Sequence, residues 1–237
     1  MGYRIQDGKR WADRKVSYQF HDSLPQGTRE LFVQCMRTWE SFVNEGQQHD
    51  VRFAERVNEA RYVIIRRDDT GSTGNVLGSP TTDGPVTFFM NLTNKDGRDD
   101  RASIPHELGH LLGLAHEHQQ SRATIVNGKR QAGTGDETPT NDATRARLYY
   151  TGGLQSVEDA YTAWSTAYLT VNDYDLQSIM HYPDARGWTW NYVPYRTRQT
   201  AIAALNYPTV EQVLAGNWRP SAGDIATVRN IYGLTPA

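Results

Sequence analysis

Four of the seven histidines in this chain lie within the thirteen residues from His106 to His118. The segment reads His-Glu-Leu-Gly-His-Leu-Leu-Gly-Leu-Ala-His-Glu-His. His106 and His110 are four residues apart, so both imidazoles project from one face of a helix. Two nitrogens at this spacing can bind one Zn²⁺ at about 2.0–2.1 Å, and Glu107 can reach a metal-bound water without being a ligand. The segment therefore predicts a zinc site on a short helix.

Two further residues extend this motif. Gly113 can adopt a positive φ, end the helix and turn the chain sharply, which lets His116 approach the same metal. Three neutral histidines leave one coordination position for water, which is typical of a catalytic zinc. Pro105 has no N–H, so we expect it in the first turn of the helix. The alternative, an amphipathic helix with surface histidines, is disfavoured by three histidines at this spacing with Glu107 and Gly113 in place.

Length, charge and composition exclude several classes of protein. A chain of 237 residues can bury a sizeable core. Its 25 basic and 27 acidic residues give a net charge of −2, so no overall positive field recruits nucleic acid. Apolar runs such as Tyr62–Ile65 and Leu111–Ala115 are far shorter than the roughly 20 residues of a membrane span. Cys35 is the only cysteine, so no internal disulfide can form.

The pattern of apolar residues predicts an α+β fold. An apolar stripe at helical spacing predicts a first helix, which Thr28 would cap. The zinc motif predicts a second helix over Ser103–Leu112, and the pattern of Ser221–Tyr232 predicts a closing helix. We expect one catalytic domain in two parts: residues 1–113, with a small mixed sheet and two helices, and residues 114–237, irregular apart from the closing helix. The predicted strands are Val16–Phe20, Val51–Ala54, Tyr62–Arg66 and Val86–Met90.

A second motif lies well downstream of the first, where Ser178 to Tyr182 read Ser-Ile-Met-His-Tyr. An extended zinc motif followed by a methionine turn is the pattern of the metzincin metallopeptidases. Within that clan the chain most resembles the astacin family. The features that carry the resemblance are Glu117 directly after the third histidine, the Ser-Ile-Met-His-Tyr string, the closing helix from Asp224 to Tyr232, and the segment from Trp11 to Phe20.

The resemblance implies a metzincin-type, two-lobed catalytic domain. Residues 1–113 would form the lobe with the sheet and the active-site helix, and residues 114–237 the lobe with the third zinc ligand, the Met-turn and the C-terminal helix. Met180 would lie beneath the zinc without binding it. Tyr182 would lie near the metal, as a fifth ligand or as a hydrogen-bond donor to the oxyanion. Typical members have two disulfides, which this chain cannot form.

The resemblance also implies a role for the start of the domain. In that family the N-terminal ammonium of the mature enzyme lies beside the glutamate after the third histidine, here Glu117, and Gly2 would be near the mature first residue. The alternative is that Glu117 pairs with an arginine such as Arg122. Met1–Arg14 lacks the apolar stretch of a signal peptide. Localisation therefore stays open, with secretion or export of a processed chain favoured.

These observations predict a zinc endopeptidase that acts on proteins or peptides as a monomer. One Zn²⁺ per chain would be held by His106, His110 and His116, with Glu107 as general base and Tyr182 assisting at the oxyanion. One alternative is a catalytically inactive protein-binding module on a metzincin fold, which an assay of chelator-sensitive peptidase activity distinguishes. Another is a delivered, toxin-like protease with a single dedicated target, which a comparison of many protein substrates distinguishes.

Overall fold

The computed structural model describes residues 3–5, 10–68, 76, 78–93, 99–117, 123–126, 129–132, 168–170, 175, 177–180 and 207–237. The chain divides into two compact units, each built from separate stretches of sequence. One unit comprises Met1–Arg4, Ala115–Tyr207 and Ser221–Thr227, and the other comprises Ile5–Leu114, Pro208–Pro220 and Val228–Ala237. The predicted division into lobes at Gly113 stays a prediction.

Strands and helices follow each other along the described residues. In chain order they are β1 (Tyr3–Ile5), β2 (Lys15–Phe20), α1 (Gln26–Asn44), β3 (Arg52–Glu55), β4 (Arg61–Arg67), β5 (Gly84–Met90), α2 (Ile104–Leu111), β6 (Ala123–Val126), β7 (Lys129–Ala132), β8 (Tyr168–Thr170), α3 (Val210–Leu214) and α4 (Ala222–Tyr232). Short 3₁₀ turns precede β2 and α2. A small sheet combined with helices confirms the predicted α+β class.

The main sheet has the strand order β3-β2-β4-β5, and all of its described pairings are parallel. The predicted α+β fold with a small sheet is confirmed, and among the described strands of this sheet only parallel pairs occur. Apolar alternation predicts where a strand lies but carries no information on the direction of its neighbour. Alternate residues of the strands point to one buried face, so the sheet contributes Val16, Phe53, Val63, Ile65 and Phe88 to the core.

Helix α1 lies beside β3 and α2 and adds six buried apolar side chains to the core of this unit. Leu31, Phe32, Cys35, Met36, Trp39 and Val43 of its predicted stripe are buried, whereas Phe42 is half-buried. The helix begins at Gln26, because the carbonyl of Pro25 accepts the first hydrogen bonds, from the N–H groups of Thr28 and Arg29. The predicted cap at Thr28 is therefore wrong, since this residue lies inside the first turn.

The last residues of the chain complete the unit that holds the sheet. Helix α3, which the sequence analysis missed, begins with a reciprocal capping box between Thr209 and Gln212. Trp218 packs edge-on against Trp39, with 6.2 Å between ring centroids. Arg229 donates to the backbone carbonyls of Phe42, Val43 and Glu45, so it caps the C-terminal end of α1. Among the described residues, no helix is long and apolar enough to span a membrane.

Candidate metal and catalytic site

Helix α2 carries the first part of the zinc motif and is buried along its whole length. A 3₁₀ turn over Arg101–Ser103 leads into it, and Pro105 lies in its first turn, as predicted. His106 is 2% exposed and His110 is 3% exposed, and their rings meet edge to face with centroids 4.8 Å apart. The two imidazoles thus lie side by side in the interior of the protein.

The C-terminal end of α2 is a Schellman motif built on Gly113. The Gly113 N–H donates to the His110 carbonyl, and the Leu114 N–H donates to the Gly109 carbonyl. Gly113 has φ of +101°, a conformation that only glycine adopts without strain. The Gly78 N–H adds a second bond to the His110 carbonyl. The helix thus stops directly after its second histidine, and the chain turns toward His116.

The protonation state of His110 suits a metal ligand. Its Nδ1 lies 2.7 Å from the Leu114 carbonyl oxygen, which can only accept, so Nδ1 carries the proton. Burial lowers the pKa of His110 to about 4, although the bond to Leu114 opposes this shift. At neutral pH the ring is therefore uncharged, and Nε2 is its unprotonated nitrogen, the atom that can bind a metal.

His106, His110 and His116 come together in space. Each offers one ring nitrogen, and these atoms all lie within 4.8 Å of one another. His116 is half-buried, whereas the other two rings are buried. Three imidazoles are a donor set that Zn²⁺ commonly takes in catalytic sites, and the tautomer of His110 fits such a ligand. The residues present therefore fit a zinc ion.

Glu107 lies on α2 between the two helix histidines and is 9% exposed. A carboxylate so shielded from bulk water interacts strongly with nearby charge, which suits a group that exchanges protons with a bound water. Tyr182, the other predicted catalytic residue, lies outside the described residues. So do Gly2 and Arg122, the two predicted partners of Glu117.

Glu117, one residue after the third histidine, is 1% exposed. Its N–H donates to the Met180 carbonyl, which ties the Met-turn to this segment, and its carboxylate accepts from the Asp175 N–H at 2.7 Å. Burial raises the pKa of Glu117 well above its usual range, and the charges of Asp224 and Asp175 add to this effect. Met180 is itself buried, at 1% exposure.

Asp224 organises the Met-turn from the start of α4. Its carboxylate accepts from the Ser178 hydroxyl at 2.6 Å, and from the N–H groups of Ile179 at 2.9 Å and Ser221 at 3.0 Å. Burial raises the pKa of Asp224 to about 6, although these hydrogen bonds oppose the shift. Ser178 in turn accepts from the Met180 N–H. Asp224 thus fixes the backbone of the segment that holds the buried methionine.

Sequence reasoning missed two members of this network, Ser221 and Asp175. The Ser221 hydroxyl accepts from the Asp224 N–H and donates to the Asp175 carboxylate at 2.6 Å. Together with the bond from the Ser221 N–H to Asp224, this forms a capping box. The sequence did carry a signal for Ser221, because a serine three residues before an acidic residue, here Asp224, is typical of a capping box. No comparable local pattern marks Asp175.

Comparisons with known proteins agree on one family. The family model Astacin (peptidase family M12A) matches residues 4–130. Bone morphogenetic protein 1 of Xenopus laevis is 24% identical over 229 residues, covering 94% of this chain and 27% of that protein. Astacin-like metalloprotease toxin 1 of the spider Loxosceles intermedia is 23% identical over 232 residues, covering 97% of this chain and 74% of that protein.

A solved structure gives the same result for the fold. High choriolytic enzyme 1 of the medaka Oryzias latipes, a hatching enzyme zinc-protease, matches with a TM-score of 0.56 at 18% identity, covering 95% of this chain and 93% of that one. At this identity the likeness shows the fold alone, and it confirms the predicted metzincin-type fold. The chain spans only 27% of bone morphogenetic protein 1 and 18% of human tolloid-like protein 2.

Proposed function

Because this chain belongs to the astacin family of zinc metallopeptidases, we propose that it is an endopeptidase that hydrolyses peptide bonds in proteins or peptides. The observation that carries the proposal is the convergence of His106, His110 and His116, each with a ring nitrogen within 4.8 Å of the others. We propose that these three residues hold one Zn²⁺ per chain. When bound, zinc supplies Lewis acidity, which makes water a better nucleophile at neutral pH and polarises the substrate carbonyl.

In this proposal the protein's own residues move the proton and stabilise charge. Glu107 takes the proton from the attacking water and later delivers it to the leaving amine, a role that its burial beside His106 supports. Tyr182 donates a hydrogen bond to the oxyanion that develops on the substrate carbonyl. Its role rests on the resemblance of the Ser178–Tyr182 string. Met180 is a buried apolar residue whose turn Asp224 and Glu117 hold, and its role below the zinc rests on the same resemblance.

Further aspects of the proposal come from the sequence and from the relatives. We propose that the enzyme acts as a monomer whose lobes are residues 1–113 and 114–237, and that it is exported. The toxin relative is named as an astacin-like metalloprotease. For this chain, a panel of unrelated protein substrates separates a broad endopeptidase from a protease with one dedicated target.

The test is Glu107→Gln, which keeps the size of the side chain but removes its basicity. We expect the variant to retain one zinc per chain by elemental analysis and to lose about 10²–10⁴-fold in turnover, with kcat affected more than KM. Glu30→Gln, on the exposed side of α1, is the matched control and should keep full activity. A Glu107→Gln variant that cleaves at the normal rate would show that Glu107 is not the base. A zinc-loaded wild type that cleaves nothing would instead favour the inactive binding module.

A further inference from the structure

Two tryptophans from outside α2 donate hydrogen bonds to its backbone, one near each end. The Trp39 Nε1 donates to the Pro105 carbonyl at 2.9 Å, and the Trp11 Nε1 donates to the Leu111 carbonyl at 2.8 Å. Both bonds are buried, and both indoles belong to the core of the unit that holds α2. Pro105 directly precedes His106 and Leu111 directly follows His110, so the two bonds bracket the two helix histidines.

A helix as short as α2 needs such external contacts. Its eight residues are fewer than the roughly 12–15 that an isolated helix requires for even marginal stability in water. Its last carbonyls have no partner within the helix. The Schellman motif satisfies those of Gly109 and His110. The next carbonyl, that of Leu111, is the one that the indole of Trp11 satisfies.

The Trp39 bond acts at the other end of the helix. A backbone carbonyl has two lone pairs, so Pro105 can accept from an indole in addition to its partner within the helix. Trp39 lies on α1 and is completely buried, so its N–H has a fixed direction. Together the two indoles restrict sliding of α2 along its axis and rotation about it. Either motion would displace the imidazoles of His106 and His110.

We infer that Trp11 and Trp39 are positioning residues for the zinc histidines. They act through the backbone of α2, each through one directional N–H, and they touch neither the metal nor the substrate. The inference rests on the proposed zinc site. Outer-shell groups that orient metal ligands typically change metal affinity or activity by about 10–100-fold when removed. The indole N–H groups should therefore affect zinc affinity beyond any effect of their aromatic bulk.

Trp218 provides a matched control for the loss of that bulk. It is buried and packs edge-on against Trp39, but its Nε1 donates to no backbone carbonyl in the described part of the chain. Trp11→Phe, Trp39→Phe and Trp218→Phe each remove the same volume and one N–H. Only the first two remove a hydrogen bond to α2. The three variants therefore separate positioning from packing.

The experiment measures the zinc dissociation constant of each folded protein by competition with a chelator, and the visible spectrum of its Co²⁺-substituted form. We expect about 10-fold or greater weakening of zinc binding and an altered Co²⁺ spectrum in Trp11→Phe and Trp39→Phe, with Trp218→Phe close to wild type. Equal effects in all three variants, or no effect in the first two, would overturn the inference. A wild type that binds no zinc would instead overturn the proposed function.

A second pair of variants covers the case in which a phenylalanine variant fails to fold. Replacing Trp11 or Trp39 by β-(3-benzothienyl)alanine keeps the size and shape of the ring but puts sulfur where the N–H was. Weakened zinc binding in these proteins supports the positioning role. Wild-type affinity in both of them overturns it.

Discussion

Replacing Asp224 by asparagine should change how the stability of the protein depends on pH. This carboxyl group is buried, and its pKa is about 6 in the folded protein against an ordinary value of 3.8. The native state therefore binds a proton more tightly than the unfolded chain does. Stability contributed by this group is fully present below pH 3.8 and is lost as pH rises toward 6. Asparagine has no proton to lose, so the variant lacks this pH-dependent contribution to stability.

The size of the effect follows from the two pKa values. Each pKa unit corresponds to about 1.4 kcal/mol, so the whole shift amounts to about 3 kcal/mol of unfolding free energy. Between pH 5 and pH 7, proton linkage lowers the unfolding free energy of the wild type by about 1.3 kcal/mol relative to that of the variant. Asparagine retains one acceptor oxygen for the N–H groups of Ile179 and Ser221, which both bond to Oδ2 of Asp224. Loss of the Asp224 charge also makes Glu117 easier to ionise in the variant. The variant therefore loses less stability as pH rises, which widens the gap between the two proteins further.

The assay is urea denaturation of both zinc-saturated proteins at several pH values from 5 to 7.5. Effects of the histidines largely cancel when the two proteins are compared at each pH. Asp22→Asn, which changes an almost fully exposed carboxylate, is the control and should give a curve parallel to that of the wild type. Parallel curves for Asp224→Asn and the wild type would refute the reasoning. So would a wild type that gains stability over the variant as pH rises.

Three other substitutions test the site. His116→Ala should abolish stoichiometric zinc binding, because only two histidine ligands would remain. Elemental analysis and a peptidase assay check this, and a variant that keeps both zinc and activity would contradict the proposed ligands. Tyr182→Phe should lower kcat with little change in KM, because a donor to the oxyanion acts mainly in the transition state; an increase in KM alone would assign Tyr182 to substrate binding. Gly113→Ala should reduce stability by about 1–3 kcal/mol, because alanine is strained at φ of +101°. A thermal melt equal to that of the wild type would contradict the Schellman turn.

Local patterns in the sequence were enough to predict the elements around the site. The apolar stripe located α1, and Pro105 and Gly113 located both ends of α2, because each of these signals depends on residues within one or two turns. Strand direction was not predictable in this way, and the sheet proved parallel throughout its described strands. The five residues of α3 are too few for a period to show, although the pattern from Thr209 to Gln212 marked its start.

The candidate site shows the same contrast between residues that local sequence patterns reveal and residues that only the tertiary structure brings together. The histidines and Glu107 are close in sequence, so their spacing alone suggested a metal. The groups that hold the site come from distant parts of the chain. Trp11 reaches a carbonyl 100 residues away, and Asp175 bonds to Glu117 across 58 residues. A tryptophan or an aspartate has no local signature for such a bond, because its partner is chosen by the tertiary structure.

The way Arg229 and Trp218 complete the core has a consequence for how the protein is made. Arg229 caps α1 through carbonyls that precede it by as many as 187 residues, and Trp218 supplies the ring against which Trp39 packs. During synthesis, every residue of the zinc motif leaves the ribosome before either of these two. Until they emerge, the last turn of α1 is uncapped and one face of Trp39 is uncovered. A shortened chain that contains all three histidines therefore still lacks part of the core around α1, because the groups that cap this helix and cover Trp39 are made last.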